Sequence, residues 1–278
     1  MRRSYFLLGI IITVLFSFIV LNAQIYQQVP NAGTVNWQDQ IIRATGIGAP
    51  NPNVPLAAQR AGAIRAGEMD ALRQLLETVK GMNLTSETIV RNAMVESDVI
   101  TSKVSGVVKN FRKVDTRYLS DGSVEVDVEI PISGILLDAL LPQQLGGVNP
   151  GMMYNAAQPQ PTYQNAVYTG LIIDARGLGL RPAMAPKIVD ESGNEVYGTG
   201  YVSRDYAVQI GVVGYDKDLN RAKANERVTN NPVIVKGLKV SGSNKADVVI
   251  SNADAANIMA AAKNLNFMEQ CKVMIILD

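Results

Sequence analysis

Residues 55–81 read PLAAQRAGAIRAGEMDALRQLLETVKG and are the longest uninterrupted helix signal after the N-terminus. Apolar residues recur along this stretch at spacings of three and four, which is the period of an amphipathic helix. They are Ala57, Ala61, Ile64, Leu72, Leu75 and Val79. The pattern predicts one buried face, rich in small residues in its first half, that can approach a sheet closely. We therefore expect the first half of the chain to fold around this helix.

Both ends of the helix carry boundary signals. Asn53 is expected to cap the first turn, and Pro55 to take the first helical position, where a missing N–H costs nothing. Gly81 is expected to end the helix in the left-handed conformation. Glu68 interrupts the apolar stripe, and we expect it to lie at the edge of the stripe and reach water.

The composition restricts the available chemistry. The 278 residues include no histidine and a single cysteine, Cys271. No intrachain disulfide can form, and most zinc, iron and copper sites and all histidine-dependent nucleophilic catalysis are excluded. Lys plus Arg number 26 and Asp plus Glu 25, so no excess of charge favours binding to nucleic acid. An enzyme of this composition would depend on carboxylates, lysine or tyrosine.

Residues 1–23 have the pattern of a secretory signal. Arg2 and Arg3 precede a long apolar run, and Ala23 is the small residue expected before a cleavage site. The run is long enough that an uncleaved N-terminal anchor is the alternative. Both interpretations place the remaining chain outside the cytoplasm, in the periplasm, with membrane contact only through the N-terminal segment if it is retained.

The first domain is expected at residues 35–141. Its first strand begins near Val35, and Trp37, the only tryptophan, is expected to pack in the core. A loop containing Gly46 and Gly48 then leads into the long helix. It is not a dinucleotide loop, because the third glycine is absent and prolines interrupt it. Residues 82–88 are expected to form a short strand, and residues 88–110 a helical or irregular passage.

A hairpin is the clearest strand signal in this domain. Residues 124–130 alternate valine or isoleucine with glutamate or aspartate, which predicts a strand with one buried and one acidic face. A three-residue loop at 120–122 would pair Arg117 with Glu125 and Lys113 with Glu129, with Gly122 in the left-handed conformation. The acidic row is then a charge-matched surface and not a metal site.

Residues 142–167 contain no charge and are rich in Pro, Gly, Gln and Asn, which is linker composition. We expect a second α+β domain at 168–278. Its predicted strands lie at 169–176, 233–240, 247–250 and 272–277, with a hairpin at 186–197 and helices at 217–227 and 252–264, the last capped by Asn252. The predicted fold class is thus α+β: two small domains, each a mixed or antiparallel sheet covered by helices.

Three groups of residues have the chemistry of a site but not its full pattern. Asp216, Asp218 and Asn220 match the start of a calcium loop, yet Arg221 stands where glycine is required. Asp190, Ser192 and Asn194 at a hairpin tip are expected to serve turn geometry. Cys271 is expected to behave as a small buried hydrophobe. We therefore name no catalytic, cofactor-binding or metal-ligating residue.

The runs AAQRAGAIRAGEMDALRQLLETVKGMNLTSET (57–88), ESDVITSKVSGVV (96–108) and DTRYLSDGSVEVDVEIPISG (115–134) resemble a bacterial envelope family. That family includes the flagellar outer-membrane lipoprotein FlgP and the N-terminal domain of flagellar assembly protein T (FlgT). The resemblance implies an α+β module without catalytic residues, periplasmic or associated with the outer membrane, that assembles into rings or disks around motor structures. Residues 169–198 look like a second domain found attached to such modules.

The sequence leads to two functional hypotheses and a weaker third. The first is a non-enzymatic periplasmic or outer-membrane-associated assembly protein, part of a flagellar motor ring or disk, whose partners are its own copies and other envelope or motor proteins. The second is a periplasmic protein that binds a small ligand in the cleft between the two domains. The third is an enzyme that uses only carboxylates. No cofactor and no nucleic-acid partner are expected.

Overall fold

The computed structural model describes residues 25–30, 32–147, 168–262 and 266–278. The predicted signal segment, Asn264 and most of the predicted linker lie outside these ranges. The described residues form an α+β fold, as predicted, with seven helices and three sheets. We call residues 25–147 the first segment and residues 168–278 the second segment.

The first segment contains one five-stranded antiparallel sheet. Its elements are β1 Tyr26–Gln28, β2 Thr34–Asn36, β3 Ile41–Gly48, α1 Leu56–Gly81, α2 Val90–Glu96, α3 Asp98–Lys109, β4 Arg112–Tyr118, β5 Val124–Pro131 and α4 Ile135–Leu140. The strand order is β1-β2-β3-β5-β4. Helix α1 packs across β3 and β5, on which alternate residues are buried. The sequence prediction that one long helix organises this segment is confirmed.

Helix α1 begins and ends differently from the prediction. Pro55, not Asn53, occupies the cap position, and no side chain caps the helix; Asn51 instead accepts a hydrogen bond from the Asn53 N–H. Gly81 is the last helical residue and is followed by extended Met82, so it is not left-handed. A Cβ on Gly81 would lie 3.3 Å from a Val29 methyl carbon. Its small size therefore serves packing and not helix termination.

The buried face of α1 is rotated from the predicted one. Leu75 and Val79 are buried as expected, but Ala57 and Ala61 are exposed, and the buried small residues are Ala63, Gly67 and Ala71. The reason lies in the predicted glycine loop, which is part of strand β3. A Cβ on Gly46 would lie 2.1 Å from the Gly67 carbonyl oxygen, and one on Gly48 would lie 1.9 Å from the Ala63 carbonyl oxygen. The glycines let the helix backbone rest directly on the strand.

The predicted hairpin is present with its three-residue loop. Gly122 has a φ of 84°, and Arg117 pairs with Glu125, both as predicted. The other predicted pair is wrong by one residue, because a bulge at Val114 shifts the register so that Arg112, not Lys113, faces Glu129. The stretch 82–88 is not a strand either, since only Asn83 and Ile89 form an isolated bridge.

The second segment contains two sheets. Its elements are β6 Gly170–Asp174, β7 Ile188–Asp190, β8 Glu195–Tyr197, α5 Arg204–Ile210, β9 Gly214–Asp216, α6 Leu219–Lys223, β10 Pro232–Lys236, β11 Lys239–Ser241, β12 Asp247–Ile250, α7 Asn252–Ala262 and β13 Val273–Ile276. One sheet, β10-β6-β13-β9, is entirely parallel, and the other, β11-β12-β7-β8, is mixed.

Three predictions for this segment need correction. The expected strand at 233–240 is split between the two sheets, with Gly237 and Leu238 at the break. The expected helix at 217–227 is limited to α6, and turns follow it. The cap of α7 is Ser251, whose hydroxyl accepts a hydrogen bond from the Asp254 N–H at 3.0 Å, in place of Asn252.

The two segments are joined by backbone hydrogen bonds and by a shared core. Met184 N–H donates to the Asn83 carbonyl at 3.0 Å, and Ala185 N–H donates to the Leu84 carbonyl at 2.8 Å. Trp37 of the first segment contacts Tyr215 of the second, edge to face, with ring centroids 5.8 Å apart. Buried apolar side chains of both segments belong to one continuous cluster. The division into two domains stays a prediction.

No helix within the described ranges is both long and apolar enough to cross a bilayer.

Candidate functional site

The residues that resemble the start of a calcium loop are occupied by internal contacts. The Asp216 carboxylate is buried and accepts hydrogen bonds from the Arg221 guanidinium at 2.6–3.0 Å. Burial raises the pKa of Asp216, but the hydrogen bonds from Arg221 and from the Asp218 N–H outweigh it, so the net pKa is lowered. Asp218 itself caps α6. The arginine at the glycine position thus takes the place that a cation would need.

The other two groups of candidate residues also have structural roles. Asp190 accepts hydrogen bonds from the N–H groups of Ser192 and Asn194 at 2.9 and 2.8 Å, which fixes the hairpin turn as predicted. Cys271 is buried, and burial raises the pKa of its thiol to about 11. A thiol with this pKa stays protonated at neutral pH, so it is a poor nucleophile.

The sheet face opposite α1 carries acidic and basic side chains that form ion pairs between neighbouring strands. Glu129 is held between Arg43, at 2.9 Å, and Arg112. Arg117 pairs with Asp127 and, at 2.9 Å, with Glu125. Hydrogen bonds from Arg117 lower the pKa of Asp127; for Glu129 burial raises the pKa, yet the two arginines outweigh it and the net pKa is lowered. The acidic row is therefore charge-matched, as the sequence predicted.

Among the described residues strand β4 is an outer strand of this sheet, and each of its residues is exposed or half-buried. Leu119 N–H donates to the Ser123 carbonyl at 2.9 Å, which makes these two residues a bonded pair. Because bonded and non-bonded pairs alternate, the backbone groups of Thr116 and Tyr118 face the free edge. The Thr116 N–H accordingly donates to the Asp115 carboxylate at 2.8 Å. We call residues 112–119 the edge surface.

The edge surface is supported on one side by α1. The Arg60 guanidinium lies 4.2 Å from the centre of the Tyr118 ring, and the Lys113 ammonium lies 3.1 Å from a Glu68 carboxylate oxygen. Glu68 thus lies at the edge of the buried face, half-buried and paired. Val114 and Tyr118 are exposed apolar side chains of the strand. An exposed strand with apolar and charged side chains can pair with another polypeptide strand.

One small cavity lies between the segments. The cavity there, lined among others by Trp37, Gln40, Met184 and Tyr215, has a volume of about 10 Å³. Such a volume holds about one water molecule. The Gln40 amide donates across this junction to the Val213 carbonyl at 3.2 Å. This cavity leaves no room for a metabolite.

The sequence did not identify the edge surface. Strand β4 was located correctly, but the alternation of side chains does not show which strand of a sheet lies outermost. Five consecutive residues without an apolar-in, polar-out pattern, RKVDT at 112–116, are the available signal, because a strand covered on one face alternates.

The comparisons with known proteins concern only the second segment. Residues 170–278, from the first residue of β6 to the end of the chain, match the family model described as the second domain of Treponema pallidum Tp0624. The match covers less than half of the chain. A search of curated proteins finds no match. The second segment is thus similar to the second domain of Treponema pallidum Tp0624.

Proposed function

We propose that this protein is a non-enzymatic assembly protein of the bacterial envelope that associates with its own copies through the edge surface. The observation that carries the proposal is the free edge of β4, where the backbone groups of Thr116 and Tyr118 face outward. The signal-like N-terminus supports a periplasmic or outer-membrane-associated location. The resemblance of the first segment to FlgP and FlgT supports a flagellar ring or disk as the assembly.

The edge surface is complementary to itself in one antiparallel register. If two copies pair with Thr116 facing Thr116, each Asp115 carboxylate releases the Thr116 N–H of its own chain, and the outward backbone groups of both threonines can then exchange hydrogen bonds. Asp115 of each copy then faces Arg117 of the other, and Val114 faces Tyr118. Opposite charges, threonine pairs and aromatic to β-branched pairs each stabilise neighbouring strands by about 0.2–1 kcal/mol. Centring the pair on Tyr118 instead would place Arg117 opposite Leu119 and lose the charge pairing.

The same strand carries features that restrict other pairings. A bulge at Val114 and the flanking charges Arg112 and Lys113 are devices that prevent indiscriminate growth of a sheet at its edge. They end the regular pairing at Val114, so that the register centred on Thr116 spans residues 114–118. A twofold pair of this kind closes on itself, so a ring or disk requires a second contact, with another protein of the assembly or with another surface of this chain.

The decisive experiment compares two variants of the edge with the wild-type chain by sedimentation velocity over a range of concentrations. Thr116→Pro removes an N–H that β5 does not use, and Asp115→Arg places like charges opposite each other in the proposed register. Both variants should be monomeric at concentrations where the wild-type chain forms dimers. Glu96→Arg, the same change of charge at an exposed position on α2, is the control and should dimerise normally.

A wild-type chain that is monomeric at all concentrations, or variants that dimerise as the wild type does while keeping its circular dichroism spectrum, would refute the edge surface as the contact. The flagellar part is tested separately with a deletion strain scored for motility and for motor structure by electron tomography. Normal motility and unchanged motors would refute that part alone. The alternative, a ligand bound between the segments, gains no support from the cavity there, whose volume is about 10 Å³.

A further inference from the structure

A groove lies between α3 and α4. Its walls are a stripe of α3, formed by Lys103, Gly106, Val107 and Asn110, and the facing residues of α4; the end of β5 forms its floor. Its volume is about 560 Å³. Pockets that hold small organic ligands range from about 300 to 1,000 Å³. The groove is therefore large enough for a ligand, in contrast to the small cavity between the segments.

The groove owes its space to a missing side chain. Gly106 lies in the interior of α3, and a Cβ built on it would meet no atom within 4 Å. Glycine weakens a helix by about 1 kcal/mol relative to alanine, and no close backbone contact requires it at this position. A larger residue would project into the groove, whose apolar members include Val107, Ile130, Leu136 and Ala139.

The charges around the groove are not balanced. Two charged side chains line it, Lys103 and Asp138. The Asp138 carboxylate is paired with the Arg204 guanidinium, at 2.7 and 2.9 Å. Lys103 has no carboxylate within ion-pair distance among the described residues. A bound molecule would thus meet apolar walls and one available positive charge at the rim.

We propose that this groove binds an anionic amphiphile, a molecule with one apolar chain and one negatively charged head group. The chain lies along the floor between α3 and α4, where burial of its methylene groups drives binding. The head group lies next to the Lys103 ammonium. The occupant is a single molecule that lies between two helices, and not the surface of a membrane. The groove and the edge surface share no residue, so the two proposals can be tested with separate variants.

The test uses the purified full chain and three probes of equal chain length: laurate, dodecylammonium and dodecanol, each below its micellar concentration, with binding measured by calorimetry. Laurate should bind with one saturable site and more tightly than the other two. Gly106→Trp should weaken laurate at least tenfold by filling the groove. Gly62→Trp is the matched control, since Gly62 also lies inside an exposed helical turn with no atom within 4 Å of a built Cβ.

A charge variant tests the role of the head group. Lys103→Gln should weaken laurate about threefold, in line with a solvent-exposed ion pair. Lys103→Glu should reverse the preference, so that dodecylammonium binds more tightly than laurate. The apolar segment at the N-terminus is the same in every variant, so binding there cannot produce these differences.

Three results would overturn the proposal. They are the absence of saturable laurate binding, equal laurate affinity in Gly106→Trp and Gly62→Trp, and no change of preference in Lys103→Glu. If the wild-type chain and Gly106→Trp sedimented equally with phosphatidylglycerol vesicles and laurate did not bind, the result would identify a membrane surface instead. Loss of dimerisation by Thr116→Pro with laurate binding retained would separate this site from the proposed function.

Discussion

The antiparallel sheet of the first segment and the parallel sheet of the second segment are covered in different ways. On β5 the valines face α1. Glu125, Asp127 and Glu129 lie on the opposite face, where arginines of neighbouring strands pair with them. On β13 all four residues are buried. Ile275 belongs to the main core, whereas Met274 and Ile276 belong to a smaller cluster with Ala222 of α6 and Val228. One sheet thus has an open face and an open edge, and in the other the two central strands, β6 and β13, are buried on both faces.

This difference indicates which sheet can present a surface to a partner and which sheet mainly supports the fold. A sheet covered on one face can present its other face and its edge to a partner, whereas strands buried on both faces, such as β6 and β13, have few groups to present. The proposed surfaces, the edge surface and the groove, both lie in the first segment. The second segment contacts the first through Asn83, Leu84 and Trp37 and buttresses it.

The largest expected effect comes from the contact between α1 and β3. Gly46→Ala places a Cβ 2.1 Å from backbone atoms of both Gly67 and Ala71, so the helix must move away from the strand. Overpacking of this kind should lower the free energy of unfolding by about 3 kcal/mol or more. Urea denaturation followed by circular dichroism measures it. A loss below about 1 kcal/mol would show that the helix is not held against the strand backbone.

The second prediction tests whether strand β13 of the parallel sheet is buried on both faces. Met274→Ala and Ile275→Ala lie on opposite faces of β13, and each should cost about 2–5 kcal/mol, because both faces are packed. On β5 the two faces should differ: Val128→Ala should cost about 2 kcal/mol and Glu125→Ala less than about 1 kcal/mol. Urea denaturation of the four variants gives the values. A Met274→Ala variant that unfolds with nearly the wild-type free energy would contradict a packed second face of β13.

The strands illustrate what a sequence can and cannot predict. Alternation in residues 124–130 predicted the hairpin, its loop and Gly122, because a half-buried strand leaves its pattern in the sequence. The bulge at Val114 was missed, because an extra residue in an exposed strand changes no apolar pattern. The enclosed strands β6 and β13 were located from their apolar runs, but runs without alternation do not specify their neighbours, and the parallel order was not predicted.

The third prediction concerns pH and the open face. The lowered pKa of Glu129 means that its contribution to stability is fully present above the unfolded value near 4.5 and is lost as the pH falls through the lower folded value. Melting temperatures between pH 2.5 and pH 7 should therefore fall on the acid side of this range. Glu129→Gln should flatten that fall and lower the melting temperature at pH 7. An unchanged acid slope would assign the effect to other carboxylates.

The smallest effects are expected where glycine has no contact to preserve. Gly62→Ala and Gly106→Ala should each raise the free energy of unfolding by about 0.5–1 kcal/mol, because alanine is the better helix former and a Cβ meets nothing within 4 Å. These variants are also the controls for Gly46→Ala, in which the same change is made against a backbone. Destabilisation by either would point to a contact of these glycines that the packing does not show.

The glycines also explain why the buried face of α1 was predicted incorrectly. Hydrophobic periodicity favoured Ala57 and Ala61, but the helix uses the residues that allow the closest approach, Ala63 and Gly67. Periodicity measures apolar character and not the distance between backbones. The row at 63, 67 and 71, together with glycines at 46 and 48, was the available signal. The edge surface and the groove depend on strand order and helix placement, which no local pattern records.

Trp37 is an intrinsic fluorescent probe of the junction between the two segments. It is the only tryptophan in the chain, it is 2% exposed, and its ring meets Tyr215 across the junction of the two segments. Its indole N–H donates to the Gln27 side chain at 2.9 Å, which ties it to β1. If the segments separate while each stays folded, the indole becomes hydrated and its emission shifts to longer wavelength before the circular dichroism signal changes. The undocking of the two segments can thus be followed by fluorescence without adding a label.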